Sequence, residues 1–348
     1  MTDGPAETEA DPAADRGSLV EELPARRRLV LGAVGVVFWG WLVARWAYHN
    51  AALDAAATAL GAPDLVRSEV TVQAREGWIP AGPFEAVADA IASVTDPLGP
   101  ASVLLDWVVW LADLAALATT AAPALAEGAF ITVYLTILSI LFGLVVAIPV
   151  AVARTYGGLF VRMVALTYTE LIRGTPLLAQ LFFVYFALPL SDVARWVGFT
   201  GQPPIPQAAS AVAVVGFTVN SSAYQAEYIR SALESVDAGQ MTAARAVGLS
   251  KRGAIRHVVL PQGLRLAIPS WTNEFVYLVK YSSLAAFITV PDLFQRARDI
   301  ASETFQYTDI YVVVGLFYLA LVLTTALAMS RFETTVSIPG LGQSTGRN

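Results

Sequence analysis

Ionisable side chains are scarce along this chain, and several sit inside apolar runs at helical spacing. Glu170 with Arg173, and Glu227 with Arg230, are three residues apart, while Glu274 and Lys280 follow on a later segment. Residues three apart share a helical face, so each pair can neutralise itself; groups of this kind within a bilayer otherwise line a polar path. Glu227, one turn beyond Tyr224, offers a carboxylate that could pair with a ligand ammonium. Arg173 precedes Thr175 and Pro176, where a helix break would free backbone polar groups beside a path. Lys280, Ser282 and Ser283 could form a gate or a contact between helices. Nucleophile and metal chemistry find little here, because the chain has no cysteine and two well-separated histidines, His49 and His257. It also lacks a glycine-rich loop ending in Gly-Lys-Ser or Gly-Lys-Thr, the arrangement that cradles phosphates. We expect no catalytic residue, no metal site and no cofactor held by this chain.

These side chains need a bilayer around them. Hydrophobic residues make up 56% of the 348, charged residues 14%, and mean hydropathy is +0.58, which excludes a water-soluble globule. Apolar runs long enough for a helical span, about 20 residues, recur between Pro- and Gly-bearing breaks. We expect an all-α polytopic membrane protein with six transmembrane helices: one extra N-terminal helix within 26–49, then five core helices at about 127–153, 159–189, 206–230, 267–290 and 308–330. An acidic disordered tail (1–25) precedes them, residues 50–124 form an extracellular connection, the core runs over 125–335, and 336–348 is a C-terminal tail. Within the connection, Leu104 to Ala121 carries Asp106 and Asp113, each costing about 2.5–3.5 kcal/mol at mid-membrane. It reads as an interfacial amphipathic helix with Trp107 and Trp110 at headgroup level. Arg26, Arg27 and Arg28 before the first helix, and Arg154, Arg162 and Arg331 later, place both termini in the cytoplasm. An Arg-Arg export signal is the competing reading of residues 26–48, though their apolar run exceeds a signal core.

The net charge is −6, the pI is near 5.0, and lysine occurs only at Lys251 and Lys280. That balance fits either a halophile's salty cytosol or GC-rich coding, and neither implies nucleic-acid binding.

Between two apolar runs lies a polar, basic loop, 237–264. Asp237 followed by Gln240 is a capping-box spacing that starts a helix through Thr242, Ala243, Ala244 and Arg245. Gly248 can end it in the left-handed conformation, and Ser250 can cap a second short helix from Lys251 toward Val259, before Pro261. A solvated loop and a docking surface are equally compatible with that pattern.

The stretch GQMTAARAVGLSKRGAIRHVVLPQGLR resembles the cytoplasmic signature loop of ABC importer permeases, through Ala243, Ala244, Gly248 and Pro261, with Val258 and Leu260 in its apolar places. Residues 125–335 resemble the polar amino-acid branch of that family. Gly128 and Thr132 match its first core helix; Tyr168, Glu170, Arg173, Gly174, Thr175, Pro176 and Gln180 the second; Ala223, Tyr224, Glu227 and Arg230 the third; Asn273, Lys280, Ser282, Ser283 and Leu284 the fourth. The resemblance implies a coupling helix built from Gln240, Thr242, Ala243, Ala244, Arg245, Gly248, Leu249 and Pro261, and a substrate path through Glu227, Tyr224, Arg173, Thr175, Asn273, Lys280 and Ser283. It implies a dimer of cytoplasmic ATPase subunits holding ATP and Mg, a second permease subunit, identical or paralogous, an extracellular substrate-binding protein, and lipid around the whole in a prokaryotic plasma membrane. Thr242 stands where the family has glutamate, so the loop lacks that negative charge. Related permeases for compatible solutes or methionine are the alternative cargo class. A channel or ion-coupled carrier would call for inverted repeats, and no convincing repeat relates the two halves.

Overall fold

The computed structural model describes residues 25–62, 65–67, 76–95, 103–201 and 206–336; the expected acidic tail before residue 25 and the tail after 336 lie outside them. The described chain is helical throughout, with one isolated bridge between Thr200 and Gln207. The extra helix is α1 (Ala25–Tyr48), followed by α2 (Ala51–Ala59) and α3 (Gly82–Thr95).

The expected interfacial helix does not stand alone. Residues 103–121 are the first third of α4 (Val103–Tyr156), a single helix of 54 residues that runs across the expected boundary at 124 and through the first core span. At 1.5 Å per residue it is about 80 Å long, far more than the ~30 Å apolar thickness of a bilayer. Continuity wins because Leu, Ala and Thr fill most of the join. Pro123, which removes the hydrogen bond to the Thr119 carbonyl, is absorbed within the helix. Gly77 lies against that freed carbonyl, where a Cβ would come within 2.5 Å of the oxygen.

Next comes α5 (Leu159–Arg173), which ends at Gly174. Thr175 and Pro176 then interrupt the expected span 159–189, since the residue before a proline avoids the helical region. The chain restarts as α6 (Leu177–Phe182), passes a π-helical turn at Phe183–Ala187, and bends by 67° into α7 (Leu190–Val197). The next span is α8 (Ala208–Ser235), and α9 (Ala238–Ala246) is the polar helix of the loop. α10 (Lys251–Ala254), a π-helical turn at Ile255–Val259 and α11 (Leu260–Tyr281) follow without a gap. The second loop helix therefore does not stop before Pro261. Proline is tolerated in a helix's first turn, and here it opens α11. A 3₁₀ stretch, Ser282–Ile288, leads to α12 (Leu293–Thr304) and α13 (Tyr307–Val336).

Among the described residues three helices are long and apolar enough to cross a membrane alone, Leu29–Tyr48, Val103–Tyr156 and Tyr307–Val336, and the bent α6–α7 pair makes a fourth candidate. α8 and α11 have the length but carry Asn220, Gln225, Glu227, Thr272, Asn273 and Glu274. They form the middle of the bundle with α4, at contacts close enough to require glycine. A Cβ on Gly143 would meet the Gln225 side chain at 2.6 Å, and one on Gly263 would meet Leu233 at 2.6 Å. α1 lies outside this core against α13, where Phe38 and Trp41 pack on Phe317 and Trp39 Nε1 donates to Thr324 Oγ1 at 2.8 Å.

Candidate functional site

At one end of the bundle the loop forms a compact helical unit. Asp237 caps α9 by accepting from the Gly239 amide at 2.6 Å. The expected reciprocal capping box is not made: Gln240 reaches sideways instead, and its side-chain oxygen accepts from Gln262 at 3.2 Å. Thr242 folds its hydroxyl back onto the Ala238 carbonyl at 3.3 Å. Of the alanine pair, Ala244 is buried against the bundle and Ala243 is exposed. Gly248 ends α9 with φ +90°, and nothing lies within 4 Å of where its Cβ would be. Arg245 secures the turn by donating to the Leu249 carbonyl at 3.1 Å. Ser250 accepts from the Gly253 amide at 3.1 Å and so caps the helix leading into α11. Lys251 Nζ donates to the Tyr156 carbonyl at the end of α4, 3.2 Å away. The outer face of this unit carries Thr242, Ala243, Arg245, Val247 and Gly248. Val247, 80% exposed, was not singled out by the sequence pattern; a large apolar residue directly before the terminating glycine was the available signal.

Further into the bundle the charges converge. Glu227 on α8 accepts from Arg154 on α4 and from Arg230 Nη2 at 2.5 Å, and lies 3.8 Å from Arg173 at the end of α5. Arg154 also donates to Thr169 Oγ1 at 2.9 Å and lies 4.0 Å from Glu170, and Arg230 reaches Glu234 at 2.6 Å. Three helices are thus joined through one carboxylate. Arg154, which the sequence marked only as a loop boundary, is the most enclosed member, with a side chain 10% exposed.

Arg173 also lies over the ring of Tyr224, 5.4 Å from its centroid. One turn along α8, the Tyr228 hydroxyl donates to Glu274 Oε2 on α11 at 3.3 Å. Tyr228 is a second residue that the sequence pattern did not identify. At the break, Gln180 Nε2 donates to the carbonyls of Ile172 at 2.6 Å and Thr175 at 3.0 Å, and its oxygen accepts from Asn220 at 3.0 Å. Thr175 therefore belongs to a break whose freed backbone groups are satisfied from the neighbouring turn. Asn273 is exposed beside Glu274.

The expected cluster at the end of α11 is not assembled as a unit. Lys280 lies over the Tyr277 ring, 4.4 Å from its centroid; Ser282 bonds back to Val279 and Ser283 to Lys280. Both serines close the end of their own helix. Tyr224, Glu227 and Arg173 do come together, whereas Lys280 sits about two turns along α11 from Asn273 and Ser283 lies beyond the end of that helix.

Comparison with known proteins gives the following. Residues 139–337 match the family of binding-protein-dependent transport system inner membrane components. The glutamine transport system permease protein GlnP of Escherichia coli is 36% identical over 219 residues, 63% of this chain and 95% of that protein. A solved structure of an amino acid ABC transporter with histidines is 32% identical, with a TM-score of 0.52 over 62% of this chain and 94% of the solved one. An inward-facing structure of the MetNI methionine ABC transporter, 22% identical, shares the fold with a TM-score of 0.52 over 62% of this chain and 97% of that one.

Proposed function

The chain belongs to the family of binding-protein-dependent transport system inner membrane components, and we propose that it is the membrane subunit of an ATP-driven importer for polar amino acids. The observation that carries the mechanism is the anchoring of the α9 unit. Its exposed face is free of the bundle, while Gln240 ties it to Gln262 on α11 and the adjoining Lys251 is tied to the end of α4. A partner that grips α9 through Ala243, Val247 and Gly248 would therefore move α4 and α11 together with it.

In this reading α9 faces the cytoplasm, both termini lie on that side, and the chain crosses the membrane six times. A pair of ATPase subunits binds ATP and Mg²⁺, docks on α9, and closes on nucleotide. A second permease subunit completes the path, and an extracellular binding protein delivers the amino acid to it. Transport is a rigid-body alternation between two packed states. The cluster of Arg154, Arg173 and Arg230 around Glu227 is placed to hold one of them, because it links α4, α5 and α8 and can be exchanged as a set. Tyr224, Arg173 and Asn273 line the path next to it; Thr175 shapes the break in its wall, and Lys280 and Ser283 stand nearer its outer mouth.

Thr242, in the place of the family's glutamate, gives the ATPase a hydroxyl already committed to its own helix. Contact then rests on shape around Gly248 and on Arg245 more than on a salt bridge from position 242. ATP-dependent, vanadate-sensitive uptake of an amino acid by proteoliposomes holding the complete complex tests the reading. Uptake that needs only an ion gradient would overturn it.

A further inference from the structure

The transport reading leaves one buried acid without a role. Asp292, the N-cap of α12, has no exposed surface. Its Oδ1 accepts from the Gln295 amide at 2.8 Å, but its Oδ2 is buried with no hydrogen-bond partner. Among the described residues Asp292 belongs to none of the ion pairs, and Arg296, one turn along α12, is engaged by Glu127 at 3.0 Å. An enclosed carboxylate without a cation is costly, and an orphaned polar atom in a packed interior calls for a bound water or ion.

A second orphan faces the first. The Tyr318 hydroxyl, on α13, looks onto Asp292, Ser282 and Thr132, and it too is buried with no hydrogen-bond partner. Ser282 and Thr132 are 1% and 0% exposed. The Ser282 proton is committed to the Val279 carbonyl at 2.8 Å, so this hydroxyl offers its neighbours lone pairs. Thr132 Oγ1 accepts from the Leu293 amide at 3.3 Å and keeps a second lone pair. One carboxylate and three hydroxyls thus converge from α4, the 3₁₀ stretch, the start of α12, and α13. The single negative charge matches a monovalent ion, since a divalent one would leave a buried surplus. Carboxylate and hydroxyl oxygens suit a hard cation, and these are too few for the large oxygen cage that potassium takes. Water would satisfy the orphans but leave the charge.

We propose that Asp292, Tyr318, Thr132 and Ser282 hold a sodium ion at the end of the bundle opposite α9. The 22 residues of α11, about 33 Å, separate this end from the α9 unit, so the ion enters from the outer side. Once bound, it fastens the junction of α11 and α12 to α4 and α13, whichever solute is carried.

The test is thermal unfolding of the purified permease–ATPase complex at about pH 8.5 in about 300 mM NaCl, KCl or choline chloride, which fixes ionic strength and removes competing protons. The expected result is a melting temperature higher by about 3 °C or more in NaCl than in choline chloride, saturating as one salt replaces the other. KCl should give less than half of that rise. Asp292→Asn keeps the N-cap and should lose the sodium response. Tyr318→Phe removes one oxygen and should need about tenfold more sodium for half of the effect. Binding of radioactive sodium to the immobilised complex should follow the same order, independently of any loss of stability in a variant. Equal wild-type melting in NaCl and choline chloride overturns the proposal, because water or a proton then serves both oxygens. A sodium response unchanged in Asp292→Asn overturns the location, and an equal rise in KCl overturns the choice of ion.

Discussion

Arg154, near the end of α4, donates to Glu227 in the middle of α8, and through that carboxylate it meets Arg230 and Arg173. Arg154 is enclosed and has no second carboxylate within hydrogen-bonding distance. Removing Glu227 would leave it uncompensated. Glu227→Ala is therefore expected to destabilise the protein by about 3 kcal/mol, the cost of orphaning an enclosed charge, and to abolish transport. Glu227→Gln keeps shape and loses charge; it should slow uptake strongly even where the complex still assembles. Thermal unfolding in detergent and uptake rates in proteoliposomes measure the two effects. Unchanged affinity and rate in Glu227→Gln would remove the network from the transport cycle.

Gln180 makes the broken wall between α5 and α6 self-sufficient by satisfying the carbonyls of Ile172 and Thr175. Gln180→Ala leaves both carbonyls and Asn220 without these partners, at about 1–3 kcal/mol for each group left buried. Loss of stability with faster hydrogen exchange confined to residues 171–182 is the expected outcome. Gln180→Glu keeps the acceptor for Asn220 but not the two donated bonds, so it should not restore the wild-type behaviour.

Asp292 sits outside the spans, at the N-cap of α12, and is buried; its Oδ1 accepts from the Gln295 amide at 2.8 Å. Burial pushes its pKa up to about 7 from 3.8. The folded state then holds the proton more tightly than the unfolded one. The favourable contribution is fully present below about pH 4 and is lost as pH rises through 7. Asp292→Asn retains an N-cap side chain and removes the titration. Melting temperatures of this variant should fall less than those of the wild type between pH 5 and pH 8, and identical slopes would refute the assignment.

Gly263 packs against Leu233, where a Cβ would approach the side chain to 2.6 Å. Gly263→Ala forces α11 away from α8 and should cost about 1–3 kcal/mol. Leu233→Ala opens the space the new methyl needs, so the double variant should lose less than the sum of the two single losses. Losses that simply add would argue against the close approach of these two helices.

The sequence reads the bundle through its composition and the loop through its punctuation. Gly248 takes the left-handed conformation, Asp237 and Ser250 cap their helices, and Thr175-Pro176 breaks the chain, all as the residue types require. What stays hidden depends on contacts between distant segments. Nothing local says that Gln240 prefers Gln262 to its own N-cap, or that Arg154 faces inward to Glu227 instead of toward water. That residues 104–121 continue into the first core helix was hidden for a similar reason. Asp106 and Asp113 argue locally against a span, but the helix outreaches any bilayer and carries them at its far end, so their cost never applied to its middle. Tyr228 escaped because an aromatic residue at helical spacing looks like packing until its hydroxyl is seen on Glu274.

That α9 is the handle through which ATP hydrolysis moves the bundle is the central claim, and the number of amino acids imported per ATP hydrolysed by Gly248 variants tests it. Gly248→Ala and Gly248→Trp suffer the same backbone strain at φ +90° but differ in bulk, and the space around the position is open, so the protein itself accommodates either. We expect Gly248→Ala to keep most of the wild-type ratio and Gly248→Trp to fold, insert and lose coupled import. A Gly248→Trp complex with normal coupled turnover would show that nothing closes around α9.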